Sequence, residues 1–328
     1  MSGLGPTARA TTIGGVVPAG AVVAAPQPRS RQIYLRALAR DKLALASALF
    51  LALLLLAAVF APWVAPHDPA RGGLMLRNKP PLTEAAGGAF PYVLGTDPLG
   101  RDELSRLIYG ARISLAVGFA SVLLSGTFGV VLGLIAGYYR GAVDDFIMRV
   151  VDLQMGFPSL LTALVVLYAL GGGVWKVILV LAVTRWMVYA RVTRGFVLSQ
   201  RESVFVEAAQ SVGASDRRII VRHILPNLLS PIMVLATLEV ATTILTEASL
   251  SFLGLGIQPP DSSWGLMLAE GRGYVTTAWW LVTFPGIAIL LTALSLNLLA
   301  GWVRAVTDPV TRWQYLRPQG ARAAIDRE

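Results

Sequence analysis

Long apolar runs alternate along the chain with shorter stretches that hold most of its charge. Residues 43–66, 113–137 and 279–303 contain no charged side chain. About 20 apolar residues, at about 1.5 Å each, cross the roughly 30 Å hydrocarbon core of a bilayer. These three runs therefore predict membrane-spanning helices.

Three further runs are apolar but interrupted. Residues 153–170 include Pro158, which a membrane helix tolerates as a kink. Residues 172–190 include Arg185, which is close enough to the end of the run to snorkel to the membrane interface. Residues 228–246 contain a single acid. The sequence predicts an all-α integral membrane protein with six transmembrane helices.

The charged flanks of these runs predict their orientation. Six basic residues and one acid precede the first run, and residues 191–222 hold six arginines and three acids. Residues 249–278 hold one arginine and two acids. Because basic residues concentrate in cytoplasmic loops, both termini and the loop 191–227 are predicted to lie in the cytoplasm.

This orientation divides the chain into four parts. The expected parts are a disordered cytoplasmic tail (1–35), an N-terminal anchor helix with an extracytoplasmic loop (36–112), a five-helix membrane core (113–315) and a second cytoplasmic tail (316–328).

The composition agrees with a membrane protein and excludes several kinds of chemistry. Charged residues make up 14% of the chain, against roughly a quarter in soluble domains. The net charge of +9 needs no nucleic acid partner, since cytoplasmic loops account for it. The chain has no cysteine, and His67 and His223 are its only histidines. No lysine lies in a P-loop motif, so we expect no catalytic residue, metal or cofactor in this chain.

The loop 191–227 carries most of the functional signal. Gly213 suits the left-handed conformation that follows a helix, so a first short helix is predicted to stop there. A second helix is predicted to begin with Ser215 as its N-cap and Asp216 in its first turn. Pro226 then marks entry into the next span. Because short helices are marginal in water, this protein or a partner must pack on them.

A run of Glu-Ala-Ala, a glycine four residues after it and a later Leu-Pro pair resemble the signature of permease subunits in bacterial ATP-binding-cassette importers. The resemblance implies that this loop forms the coupling helix that docks on an ATPase subunit. The residues it designates are Glu207, Ala208, Ala209, Gly213, Ala214, Ser215, Leu225 and Pro226.

Other segments resemble the oligopeptide/dipeptide/nickel branch of these importers, and its C-type permease in particular. They are residues 94–102, 105–115, 223–227, 246–256 and 284–286, while residues 301–312 depart from the usual pattern. The resemblance implies half of a pore in the bacterial cytoplasmic (inner) membrane. The implied partners are a second homologous permease, two ATPase subunits that bind ATP and Mg²⁺, and an extracytoplasmic binding protein that delivers peptides or a related small solute.

Four polar residues share one face of the fifth predicted span: Glu239, Thr242, Thr243 and Thr246. This face either lines the translocation path or hydrogen-bonds to neighbouring helices, and the sequence leaves both interpretations open.

Other polar and small residues receive structural interpretations. Glu247 is expected at the outer membrane boundary as an accessible carboxylate that supports the segment up to residue 256. Asp152, near Arg149, is expected to be an ion-paired anchor. A glycine ladder allows close helix packing, either within the chain or at the interface with a second permease. Its members are Gly129, Gly133 and Gly137.

Two other classes of protein are alternatives, a secondary transporter and an intramembrane enzyme. A secondary transporter needs coupling charges within the membrane, and only Glu239 and Arg185 are candidates. It also commonly has inverted repeats, which the two halves of the sequence do not show. An intramembrane enzyme needs paired acids or metal ligands within the spans, and neither is present in the predicted ones.

Overall fold

The computed structural model describes residues 37–85 and 90–307, and its regular elements there are helical. The predicted disordered tails, 1–35 and 316–328, lie outside the described residues. The α-helices are α1 (Lys42–Val59), α2 (Ala61–Val64), α3 (Glu103–Tyr139), α4 (Gly141–Met155), α5 (Ser159–Leu170), α6 (Val174–Arg201), α7 (Val204–Ser211), α8 (Asp216–Ile219), α9 (Leu225–Phe252), α10 (Trp264–Gly271) and α11 (Trp280–Thr307).

Within the described residues, four helical stretches are long and apolar enough to cross a membrane, or five if a bent pair counts as one span. The four are α1, α3, the stretch Asp216–Phe252 and α11. Helix α6 has 28 residues but carries Lys176 and four arginines. The count of six spans stays a prediction.

The third predicted span is broken rather than kinked. Helices α4 and α5 meet at an angle of 84° around Gly156–Pro158. Pro158 lacks a backbone N–H and disfavours the helical conformation of the residue before it, so α4 stops at Met155 and α5 restarts at Ser159. A single helix over 153–170 was therefore wrong.

Helix α3 is the longest single helix of the described residues and begins well before its predicted span. Asp102 caps it by accepting a hydrogen bond from the Ser105 N–H at 2.9 Å. Helix α3 thus begins in the predicted extracytoplasmic loop and continues without a break into the span.

The glycine ladder sets the distance between α3 and α6. A Cβ on Gly129 would lie 2.2 Å from the Trp186 carbonyl, and one on Gly133 would lie 2.6 Å from the Ala190 carbonyl. These contacts join two helices of the same chain, so the ladder packs within the chain.

The second helix predicted in the loop 191–227 is continuous with the fifth predicted span. Helix α8 passes through a π-helical turn, Ile220–Ile224, directly into α9. There the Leu225 N–H bonds the Ile220 carbonyl, one residue further back than in an α-helix. Pro226 lies in the first turn of α9, at the predicted entry into the span, and the π-helical turn makes the helical path into it continuous.

The core lies between α3, α9, α10 and α11, where Trp264, Leu115, Ile244 and Leu296 pack together. Helix α1 packs against α3 and α11, and its outward side exposes leucines. Exposed leucines along a 18-residue apolar helix are typical of a lipid-facing surface.

Candidate functional site

Helix α7 and the turn after it have the local structure that was predicted for this part of the loop 191–227. Gly213 has φ +76°, which a glycine adopts without strain, and the Ala214 N–H bonds the Ala209 carbonyl at 3.1 Å. Ser215 occupies the N-cap position of α8 with extended backbone, but its side chain makes no capping hydrogen bond.

The two alanines of the signature face opposite ways. Ala209 is buried beside Val206, in a cluster that includes residues of α3, α6 and α8. Ala208 is exposed together with Val204 (80%) and Val212 (84%), which lie one turn before and after it. Ala209 therefore packs within the chain, whereas Ala208 lies on the exposed side of α7. The exposed strip of Val204, Ala208 and Val212 is apolar and has no partner within the described chain.

The remaining signature residues also differ in burial. Glu207 is exposed and Ala214 is half-buried. Leu225 packs against the cluster beneath α7. Pro226 is exposed and lines a groove between α6, α9 and α11. Pro226 thus lies in the first turn of α9.

Polar contacts brace this loop against the helices above it. The Tyr138 hydroxyl donates to Asp216 Oδ1 at 2.8 Å, and the Arg201 guanidinium lies 5.4 Å from the centre of the Tyr138 ring. Arg140 donates to Glu202 at 2.7 Å. These contacts tie α8 to the end of α3, and the end of α3 to the end of α6.

Glu239 faces Arg185 across the contact between α9 and α6. Arg185 Nη1 lies 3.6 Å from Glu239 Oε2, and Arg185 Nη2 donates to the Thr246 hydroxyl at 2.9 Å. The side chains are 20% and 11% exposed. Arg185 thus turns toward Glu239, and its predicted extension to the membrane interface was wrong. An intramembrane ion pair of this kind marks a functional site unless another explanation exists.

The three threonines of the predicted face do not act together. Thr242 is exposed, Thr246 is half-buried, and both hydroxyls donate to carbonyls of their own helix. Thr243 is fully buried, and its hydroxyl has no hydrogen-bond partner. The structure therefore brings Glu239, Thr242 and Thr246 to the Arg185 side of α9 and leaves Thr243 inside the helix packing.

An extensive ion-pair network fastens the loop before α3 to α10. Asp97 Oδ2 accepts from Arg101 Nε and from Arg106 Nη1, each at 2.6 Å. Glu270 Oε2 accepts from Arg106 Nη2 at 2.6 Å and from Arg101 Nη2 at 3.1 Å. Asp97 and Arg106 are almost completely buried. The network closes the predicted outer end of the helix bundle.

Glu247 lies at the centre of a buried cluster of serines. Its carboxylate accepts from Ser251 at 2.7 Å, from Ser263 at 2.8 Å and from Ser114 at 3.3 Å. The Ser251 hydroxyl in turn accepts from the Ile257 N–H at 2.9 Å. The support of the segment up to residue 256 is present, but the expected accessibility of Glu247 was wrong, since the residue is fully buried.

Sequence reasoning missed several of these partners. Asp152 pairs with Arg191 rather than with the nearby Arg149. The Arg185–Glu239 pair had a signal in the sequence. Glu239 is the only charged residue in 228–246, and Arg185 lies well inside 172–190, which also contains Lys176. The network around Arg106 had none, since its members are spread over residues 97–270.

Comparison with protein families decides the class of protein. Residues 129–313 match the family described as "Binding-protein-dependent transport system inner membrane component". The chain belongs to this family of permeases. Residues 31–81 also match the family described as "N-terminal TM domain of oligopeptide transport permease C". The resemblance to the C-type permease of the peptide branch is thereby confirmed.

Individual permeases agree with this assignment. A di/tripeptide transport system permease of Pseudomonas aeruginosa is 41% identical over 86% of this chain and 93% of its own length. A probable D,D-dipeptide transport system permease of Escherichia coli is 39% identical over 81% and 87%. A glutathione transport system permease of Escherichia coli is 42% identical over 82% and 87%.

Among solved structures, this permease is similar to the inward-facing methionine ABC transporter MetNI. The TM-score is 0.50 at 19% identity, over 62% of this chain and 96% of that chain. This likeness shows the fold alone. Together with the sequence relatives, it establishes the chain as a multi-pass permease subunit of an ABC importer, and a secondary transporter is not favoured.

Proposed function

We propose that this permease forms one half of the pore of an importer for short peptides in the bacterial inner membrane. Its partners are a second homologous permease, two ATPase subunits that bind Mg²⁺ and ATP, and an extracytoplasmic peptide-binding protein. The match of residues 31–81 to a permease C domain supports the C-type half. The named substrates of the relatives, which are dipeptides, tripeptides and glutathione, support a short peptide.

In this proposal the chain crosses the membrane six times, with both termini in the cytoplasm. Helix α6 is one of the six despite its basic residues, because Arg185 has Glu239 and Thr246 as partners. Its other arginines lie at its C-terminal end, where Arg191 pairs with Asp152 and Arg194 pairs with Asp144. Basic residues at this end favour the cytoplasm.

The exposed strip of Val204, Ala208 and Val212 is the observation that carries the coupling proposal. Scattered exposed apolar residues are normal, but here they form one face of a helix whose opposite face is already packed. An ATPase subunit that docks on this strip can move α7, and the packing of Val206 and Ala209 against α3 and α6 passes that movement to these helices. ATP hydrolysis in the partner thereby drives alternating access in a chain that has no catalytic function of its own.

Ala208→Arg tests this docking, because it places a charged side chain in the centre of the strip. We expect loss of ATP-dependent peptide uptake by about tenfold or more, with the variant still inserted in the membrane. The measurement is uptake into proteoliposomes that contain the whole complex. Ala208→Ser is the matched control and is expected to transport normally. Ala209→Arg is a poorer test, since it disturbs the chain's own packing.

Two outcomes contradict the proposal. Normal uptake by Ala208→Arg means that the strip does not transmit ATP hydrolysis. Peptide uptake by the wild-type chain in liposomes without ATPase subunits or ATP means that the permease works as a secondary transporter.

A further inference from the structure

A groove with polar residues at one end lies between α6, α9 and α11. Its volume is about 690 Å³, within the range of ligand sites. Near the C-terminal end of α6 it is lined by Asn227, Ser230, Arg304 and Thr307. Further in, its wall is mainly apolar.

The groove points toward the Arg185–Glu239 pair. On α9 its wall includes Leu238, and Thr242 and Thr246 continue the same face one and two turns further. On α6 its wall includes Val192, and Arg185 lies two turns before it on the same face. The helical register therefore places the pair beyond the residues that line the groove, where its α6 and α9 walls continue.

The pair is incompletely satisfied. Arg185 Nη1 and Glu239 Oε2 are 3.6 Å apart, too far for a good hydrogen bond. Thr242 reaches the same carboxylate oxygen only at 3.5 Å, and Arg185 Nε is buried without a hydrogen-bond partner. Buried charges normally have well-formed hydrogen bonds. A guanidinium and a carboxylate with unused hydrogen-bonding capacity, on the continuation of the groove walls, form a site that can accept a ligand with both charges.

Resting on the proposed function, we propose that Arg185 and Glu239 bind the two termini of the transported peptide. Arg185 takes the carboxylate, in the geometry that guanidinium groups favour, and Glu239 takes the ammonium. The termini are the parts that all unmodified short peptides share, so this site selects peptides without reading their side chains. The groove holds the side chains.

The geometry allows this exchange of partners. Two extended residues span roughly 7 Å, so the two side chains must part by roughly 3 Å to admit a dipeptide. The long, flexible Arg185 side chain can supply this movement, and Thr246 can release it. Without peptide the two side chains face each other and hold α6 against α9.

The test measures equilibrium binding of labelled peptides to the detergent-purified permease pair with its ATPase subunits, without the binding protein. Three probes are used: L-alanyl-L-alanine, its N-acetyl derivative and its C-terminal amide. Glu239→Gln is expected to weaken dialanine binding by about tenfold or more, and to leave N-acetyl-dialanine binding at the wild-type level. Arg185→Gln is expected to weaken both of these and to spare the amide.

A matched pair of threonine variants locates the site on α9. Thr242→Val is expected to weaken dialanine binding by about two- to fivefold. Thr237→Val is expected to leave it unchanged. Thr237 is half-buried, also bonds its own helix, and lines a different, apolar groove between α3 and α9.

Each outcome decides between the two proposals. If the wild-type complex with its binding protein does not take up dialanine, the proposed peptide function fails. If it does, but the purified complex binds no dialanine, the terminal-binding site is wrong. Equal loss for all three probes in Glu239→Gln, or no loss, also overturns it, because a purely structural pair cannot distinguish a free from a blocked terminus.

Discussion

Two clusters of oppositely charged side chains join helices of this permease. They differ in how completely their hydrogen-bonding groups are paired. Around Arg106, four charged side chains share three contacts of 2.6 Å and one of 3.1 Å. Between α6 and α9, a single pair stands 3.6 Å apart, with Arg185 Nε unpartnered. Both clusters join segments that are distant in sequence.

The difference distinguishes a cluster that stabilises the fold from a pair that can bind a ligand. The Arg106 network has strong bonds on both carboxylates, so it fixes α10 against the start of α3. The Arg185–Glu239 pair keeps unused hydrogen-bonding groups. Breaking the first should therefore cost stability, and breaking the second should cost mainly peptide binding.

The largest effect on stability is expected from Arg106→Ala. This change leaves the buried carboxylate of Asp97 and that of Glu270 with weaker compensation, which typically costs about 3–5 kcal/mol. Thermal unfolding of the purified complex should show a large fall in the midpoint temperature. Arg71→Ala is the control, because Arg71 and its partner Asp68 are largely exposed. An equal midpoint for both variants would contradict a structural function of the network.

A smaller loss is expected from Glu247→Ala. Ser251, Ser263 and Ser114 all lose their shared acceptor, at roughly 1 kcal/mol for each hydroxyl. The total of about 2–3 kcal/mol should appear as a midpoint between those of the wild type and Arg106→Ala. Glu247→Gln retains one acceptor oxygen and should fall closer to the wild type. A Glu247→Ala midpoint at the wild-type value would mean that the serine cluster does not stabilise the fold.

The sequence predicted the elements that depend on apolar length and missed those that depend on distant partners. The runs at 43–66, 113–137 and 279–303 correspond to α1, α3 and α11 because an uncharged run of this length has few alternatives. The start of α3 at Glu103 was missed because Arg106 is a charged residue whose partners lie on a distant loop and on α10.

In the loop 191–227, too, the sequence predicts local features but not those that depend on distant partners. Gly213 could be placed from its position after a helical run, since only local backbone geometry is involved. The opposite burial of Ala208 and Ala209 could not, because it depends on how α7 rests on α3 and α6. Likewise, no local pattern marks the π-helical turn that carries α8 into α9.

The Arg185–Glu239 pair is expected to have the smallest effect on stability and the largest effect on peptide binding. A double-mutant cycle of Arg185→Gln and Glu239→Gln on the peptide-free complex should give a coupling energy of about 0.6 kcal/mol, typical of polar contacts between membrane helices. The 3.6 Å separation and the partial exposure of both side chains keep this value low. The reference cycle of Arg106→Gln and Glu270→Gln should give a value several times larger, since that contact is 2.6 Å and Arg106 is buried. Equal coupling energies in the two cycles would mean that the intramembrane pair is as firmly bonded as the outer network, and so is not available to exchange partners with a peptide.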